Sequence, residues 1–245
     1  MVGVAHIRDA DLPDPSTPHE TSANSILRPV VFGANDGLVS NLALVMGVAG
    51  ANPEPGIIVL AGVAGLLAGA FSMGVGEYIS VQSQRELLEY QIAFQRHQLR
   101  AVPDQERRIL SNVYRKRGFS TEEADHFTDR VFEDPESAVR LLIFEEVGLD
   151  ERSIGSAIQA AIGSFLSFTL GAAIPLIPYL LAAGATAFWL SLGISLGALA
   201  LLGYLISRMT RRHPVFSSVR QVLLGAVAAA VTFGVGSLIG AGTPA

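Results

Sequence analysis

Long apolar runs joined by short polar connections, with one long polar interruption, set the pattern of this chain. Five runs are each long enough to cross a bilayer, which takes about 20 apolar residues. They are residues 29–50, 57–76, 155–181, 185–206 and 219–239. Residues 85–152, between the second and third runs, hold 11 of the 17 basic and 15 of the 22 acidic residues, so this stretch stands outside lipid. The pattern predicts an all-α membrane protein: five transmembrane helices with a helical insert between the second and third.

Four regions follow. Residues 1–25 place Pro13, Pro15 and Pro18 among polar residues, lack the apolar core of a signal peptide, and are expected to form a disordered arm. Residues 26–84 carry the first two spans, 85–152 the insert, and 153–245 the last three spans. No stop signal follows Gly76, so residues 77–100 are expected to continue the second helix out of the membrane. Three short helices then have clear punctuation. Pro103 opens one that ends at Gly118, Ser120 with Glu123 forms a capping box for the next, and Asp134–Pro135 opens a third that Gly148 closes.

Basic residues orient the spans. Arg8 and Arg28 precede the first, the insert follows the second, and Arg208, Arg211, Arg212 and Arg220 lie between the fourth and fifth. The other connections carry no Lys or Arg. The N-terminus and the insert are therefore expected in the cytosol and the C-terminus on the far side. The absence of cysteine excludes disulfides, thiolate metal sites and cysteine nucleophiles, and a net charge of −5 argues against a nucleic-acid partner.

Within this frame one residue stands out. Asp36 lies seven residues past Pro29 inside the first run, FGANDGLVSNLALVM. An ionisable group at membrane depth costs at least ~2.5 kcal/mol, so it generally faces a polar cavity and marks an ion or proton path. Asn35 is adjacent, and Ser40 lies one turn on, on the same face. The alternative, a helix-start aspartate at headgroup level, fits the seven-residue offset less well. The second run has a small-residue face, Ala61, Gly65 and Gly69, that ends in Met73 and Glu77. At 1.5 Å per residue, Met73 would lie ~5 Å and Asp36 ~10 Å from the cytosolic edge, with Glu77 at the mouth. Met73 is thus either a packing residue or a soft ligand facing Asp36. Small-residue stripes in the third run (Gly163, Ser167, Gly171, Pro175) and the fifth (Ala228, Thr232, Gly236, Gly240) read as packing faces. Pro175 and Pro178 each remove a backbone donor from the third run, which implies a kink or a cavity.

In the insert, Glu122, Glu123 and Glu136 fall in first helical turns, where they complement the helix dipole. Glu86 and Glu89 share a face of the long helix, and Glu145 and Glu146 sit near the end of the last one. Two carboxylates from each of two helices can build an oxygen-rich metal site, or they can pair with arginines such as Arg85 and Arg140. His97, eight residues after Glu89, is either a nitrogen ligand or a solvated side chain. Spacing leaves these alternatives open.

Two long motifs, GANDGLVSNLALVMGVAGA and LAGAFSMGVGEYISVQSQRELLEYQI, resemble the vacuolar iron transporter family, which includes the nodulin-21-like proteins. The resemblance covers residues 27–240. It implies a five-helix homodimer, a transporter rather than an enzyme, with no permanently bound cofactor. The implied activity is export of Fe²⁺, and often Mn²⁺, from the cytosol in exchange for protons. Asp36 and Met73 match residues that line the family's path; Glu86, Glu89 and Glu146 match its metal-collecting insert. Carboxylate plus thioether also suits Fe²⁺ or Mn²⁺ better than Mg²⁺ or Ca²⁺. The host membrane would be vacuolar in a eukaryote and the plasma membrane in a bacterium; sixteen Arg against one Lys is compatible with a GC-rich bacterial genome.

The chain departs from the family pattern at several positions. Gln95 and Gln98 stand where many relatives have carboxylates, Leu142 and Ile143 where some have methionines, and Ser25 and Gly65 where some have membrane glutamates. Two competing readings follow. One is a membrane-anchored metal-binding or iron-oxidising protein that acts through Glu86, Glu89 and Glu146. The other is a carrier of a different solute.

Overall fold

The computed structural model describes residues 21–148 and 155–242, with the side chains of 21–27, Glu146 and Val147 outside the described set. The described residues are helical, with no strand among them. In order they form α1 Thr21–Gly50, α2 Pro55–Ala101, α3 Pro103–Lys116, α4 Thr121–Phe132, α5 Pro135–Val147, α6 Ala157–Ala173, α7 Ile177–Leu181, α8 Gly184–Thr210 and α9 Pro214–Gly242. Helix α1 begins inside the stretch expected to be a disordered arm, and residues 1–20 lie outside the described residues. The chain divides into two compact units, Met1–Tyr78 with Ile158–Ala245, and Ile79–Ala157.

Among the described residues, four helices are long and apolar enough to cross a membrane: Arg28–Gly50 of α1, α2, α8 and α9. The expected third span, 155–181, is not one continuous helix. It is the 17-residue α6, a turn, and the five-residue α7. Seventeen residues rise only about 26 Å, short of a ~30 Å hydrocarbon core. The break has a chemical cause. Pro175 and Pro178 bring no N–H, and the intervening backbone tightens to three-residue spacing, with Ile174 N–H donating to Gly171 O (3.3 Å), Leu176 to Ala173 (3.0 Å) and Tyr179 to Leu176 (3.0 Å).

In the first unit α1 is the central helix: 39% of its apolar stretch is buried, against 17% in each of α2 and α9. Leu38, Leu42, Val45 and Met46 of α1 form the core with Ile58, Leu176, Tyr179, Ala187, Leu199 and Ala229. Glycine sets how closely its neighbours approach. A methyl at Gly37 would collide with the backbone oxygen of Phe168, and one at Gly171 with that of Ala34, which binds α1 to α6 backbone to backbone. On the other side, methyls at Gly236 and Gly240 would run into Gly47 and Ala51. In lipid, where apolar surface gives helices no reason to associate, close approach of this kind supplies the dispersion contacts that hold spans together. The two small-residue stripes of the sequence serve here as packing faces.

The second unit, Ile79–Ala157, holds the C-terminal part of α2 with α3, α4 and α5. Its punctuation is as expected. Ser120 and Glu123 form the reciprocal capping box, Asp134 accepts from the Glu136 N–H (3.2 Å) ahead of α5, and Gly118 (φ 100°) and Gly148 (φ 69°) supply left-handed backbone after α3 and α5. Leu88, Val139 and Ile143 pack together with Ile92 and Leu99, so one apolar face of α2 seats α5.

Candidate functional site

A four-residue connection returns the chain from α1 into α2, so the two helices form a hairpin. Between them lies a cleft of about 460 Å³. Helix α1 lines it with Phe32, Asp36, Ser40 and Leu44, four residues one turn apart, together with Asn41. Helix α2 lines it with Gly65, Gly69, Met73 and Glu77, again one turn apart, plus Ser72 and Gly76. Phe168 of α6 completes the lining.

The register between the ladders follows from one contact. A methyl on Gly65 would collide with Cδ2 of Leu44, so those two positions face each other. One turn at a time from that contact, Ser40, Asp36 and Phe32 on α1 and Gly69, Met73 and Glu77 on α2 continue the lining of the same cleft. The cleft exists because Gly65 and Gly69 contribute no side chain; the ring of Phe168 fills the space beside Gly69.

Four of the five residues assigned to a transport path therefore share one cavity: Asp36, Ser40, Met73 and Glu77. Asn35 does not line it, since one residue along a helix turns the side chain by about 100°; its Oδ1 is buried without a partner. Among the described residues Asp36 has no hydrogen-bond or ion-pair partner, whereas a carboxylate serving only the fold would be expected to have one. The donors gathered here are chemically mixed: a carboxylate, a thioether, a hydroxyl, an amide and a second carboxylate at one end. Asn41 and Ser72 escaped the sequence reading. The available signal for Asn41 is a second amide in the middle of an apolar run. Its partner, the Ala172 carbonyl 131 residues on, left no sequence signal.

The insert is arranged differently. Glu86 and Glu89 are exposed on α2, Glu86 accepts from Gln82 Nε2 (3.0 Å), and His97 is exposed on the same helix. The Glu146 side chain lies outside the described residues. Glu145 is held by Arg117 and also accepts from the Tyr114 hydroxyl (3.4 Å). Burial, and next the nearby Glu145 charge, push the Tyr114 hydroxyl above its ordinary pKa. Glu136 is clamped by both arms of Arg96 (3.0 and 2.7 Å), which lowers its pKa. The Ser111 hydroxyl (2.6 Å) and then Arg115 (3.0 Å) lower that of Asp125. Arg107 takes Asp129. Among the described residues no three His, Cys, Asp or Glu side chains converge as a metal ion requires. The arginine pairing that the spacing left open is seen for Glu145, with Arg117 rather than Arg85 or Arg140, while Glu136, expected only to complement a helix dipole, also has an arginine.

Comparison with known proteins fits the same spans. The VIT family model matches residues 27–237. Vacuolar iron transporter 1 of Oryza sativa subsp. japonica is 31% identical over 222 residues, covering 90% of this chain and 88% of the relative. Vacuolar iron transporter 1 of Arabidopsis thaliana is 30% identical with the same coverage. The vacuolar iron transporter of Toxoplasma gondii is 29% identical over 90% of this chain and 76% of its own length. With nearly the whole chain matched, and the cleft residues inside the match, the chain belongs to the VIT family.

Proposed function

We propose that this protein exports a divalent transition metal, Fe²⁺ or Mn²⁺ or both, from the cytosol through the α1–α2 cleft, in exchange for protons. Membership of the VIT family makes it a membrane transporter and not an enzyme. The observation that carries the reading is a single cleft lined by the carboxylate of Asp36, which has no partner among the described residues, and by the thioether of Met73. Iron is the cargo named for the relatives. A carboxylate with a thioether is a mixed donor set that Fe²⁺ and Mn²⁺ accept and that Ca²⁺ and Mg²⁺ match poorly.

The mechanism follows from charge. A dication entering past Glu77 would meet Asp36 as the one carboxylate within the span, and Met73 and Ser40 would replace part of its hydration shell. Metal binding requires a deprotonated carboxylate, so binding at Asp36 would release a proton and metal departure would allow its return. If α6 and α7 together make the third crossing, all basic residues would fall on one side of the spans, which supports entry from the cytosol. We further propose a homodimer, located in the vacuolar membrane of a eukaryote or the plasma membrane of a bacterium.

The test is anaerobic uptake of Fe²⁺, and separately Mn²⁺, into proteoliposomes carrying an internal pH dye. Wild-type protein should take up metal with a matching pH change. Unchanged uptake by Asp36→Ala would remove the cleft from the mechanism, and uptake without a pH change would remove the proton exchange.

A further inference from the structure

The turn between α6 and α7 takes the helical donors from several carbonyls, two of which, Ala172 and Pro175, are met by side chains of other helices. In an uninterrupted helix Leu176 N–H would donate to Ala172 O and Tyr179 N–H to Pro175 O. Here they donate to Ala173 and Leu176 instead. Side chains of other helices supply the missing donors. Ser191 Oγ donates to Pro175 O (2.7 Å), and Asn41 Nδ2 donates to Ala172 O (2.6 Å).

The second of these bonds orients an amide that lines the cleft. Asn41 is only 2% exposed. Its nitrogen is held on a carbonyl, and turning the amide over would set two oxygens against each other, so the end left over is Oδ1. That oxygen is buried and has no hydrogen-bond partner. It faces Gly65, where an added methyl would lie 3.1 Å from it. A buried acceptor left unpaired costs about 1–3 kcal/mol. Five residues of rise put Asn41 about 7.5 Å deeper along α1 than Asp36.

Resting on the transport reading above, we propose that Asn41 Oδ1 is the next ligand to the cation after Asp36: a neutral oxygen, locked in direction by the proline-broken helix behind it. Neutrality matters at this depth. A second carboxylate would bind a dication tightly and release it slowly, whereas an amide oxygen compensates dehydration without holding the ion. Amide oxygen is a hard donor and thioether a soft one, so Asn41 would favour Mn²⁺ relative to Fe²⁺, with Met73 acting in the opposite sense.

The experiment is uptake by the full-length protein in proteoliposomes, with KM and maximal rate measured for Fe²⁺ and Mn²⁺. Asn41→Leu should raise KM about tenfold, the loss of one contact of ~1.4 kcal/mol, and more for Mn²⁺ than for Fe²⁺. Asn41→Asp keeps an oxygen toward Gly65 and adds a charge but loses the donor to Ala172 O, so it should lower KM and lower the maximal rate together with some loss of melting temperature. A purely structural role predicts a fall in rate and melting temperature without either cation-dependent change, and that result overturns the proposal. If Asn41→Leu does not fold, Asn41→Asp carries the test through its opposed changes in KM and rate. Asp36→Ala, run alongside, separates the two readings. Its loss of uptake with unaltered cation constants in both Asn41 variants defeats only the proposal for Asn41; its full activity defeats the cleft itself.

Discussion

Polar groups in the two units of this protein meet opposite fates. In the Ile79–Ala157 unit the interacting carboxylates have partners: Glu136 has Arg96, Asp129 has Arg107, Asp125 has Ser111 and Arg115, and buried Glu106 accepts from buried Gln95 (2.7 Å). In the membrane unit the polar groups of the cleft are left open. Asp36 has no partner among the described residues, and Asn41 uses its nitrogen but not its oxygen. The side chains come from the same small set of types. What separates them is that satisfied pairs hold a fold together, whereas unsatisfied ones at membrane depth are costly unless something else binds them. The comparison supports the proposal that ligand chemistry belongs to the cleft, where unpaired groups gather in one cavity, and structural chemistry to the helical unit.

The sharpest way to break the comparison is to remove the open carboxylate. Asp36→Ala should reduce metal uptake by about a hundredfold, since a cation desolvated without its counter-charge loses several kcal/mol. Its melting temperature should hold or rise, because the side chain has no partner among the described residues to lose. Overpacking comes next. Gly37→Val drives a side chain into the Phe168 backbone and should destabilise the membrane unit by about 3 kcal/mol, the upper part of the overpacking range. The readout is melting of detergent-solubilised protein, and uptake should fall in proportion to folded protein.

A smaller effect is expected in the other unit. Gln95→Leu withdraws a donor from Glu106, itself only 4% exposed, and should cost about 1–3 kcal/mol. Hydrogen exchange across α3–α5 in the full-length protein measures it; equal exchange in mutant and wild type would mean that the pair is not structural. The smallest effect is the response to acid. Asp125, Glu136, Asp134 and Glu123 all have pKa values below their ordinary ones, through hydrogen bonds from Ser111, Arg96, Ser137 and the Ser120 backbone respectively. A folded-state pKa below the unfolded one contributes stability that is present above the unfolded value and is lost as pH falls through the folded value. Exchange in α3–α5 should therefore rise as pH drops below about 4, modestly because these groups are exposed and screened.

Much of this architecture could be read along the chain. Run length located α1, α2, α8 and α9, and the lack of a stop after Gly76 matched the continuous helix to Ala101. Ser120, Asp134 and Gly148 marked helix ends because capping is a local interaction, written within three or four residues. The kink or cavity expected at Pro175 and Pro178 is a full break between α6 and α7, which hydropathy alone does not show because it counts apolar residues and not hydrogen-bond donors. Pro175 and Pro178 are apolar enough to extend a run, yet they break the helix that the run implies.

The sequence by itself determined the four long spans, the caps, and the presence of Asp36 and Met73 on the two helices of one hairpin, because each depends on run length or on neighbours a few positions away. Tertiary structure alone decided that Ser40 shares the cleft and Asn35 does not, that Glu136 and Glu145 belong to arginines, and that Asn41 turns its oxygen inward. Those outcomes depend on helix rotation and on partners such as Ala172, 131 residues distant, whose carbonyl became available only when the chain behind it broke.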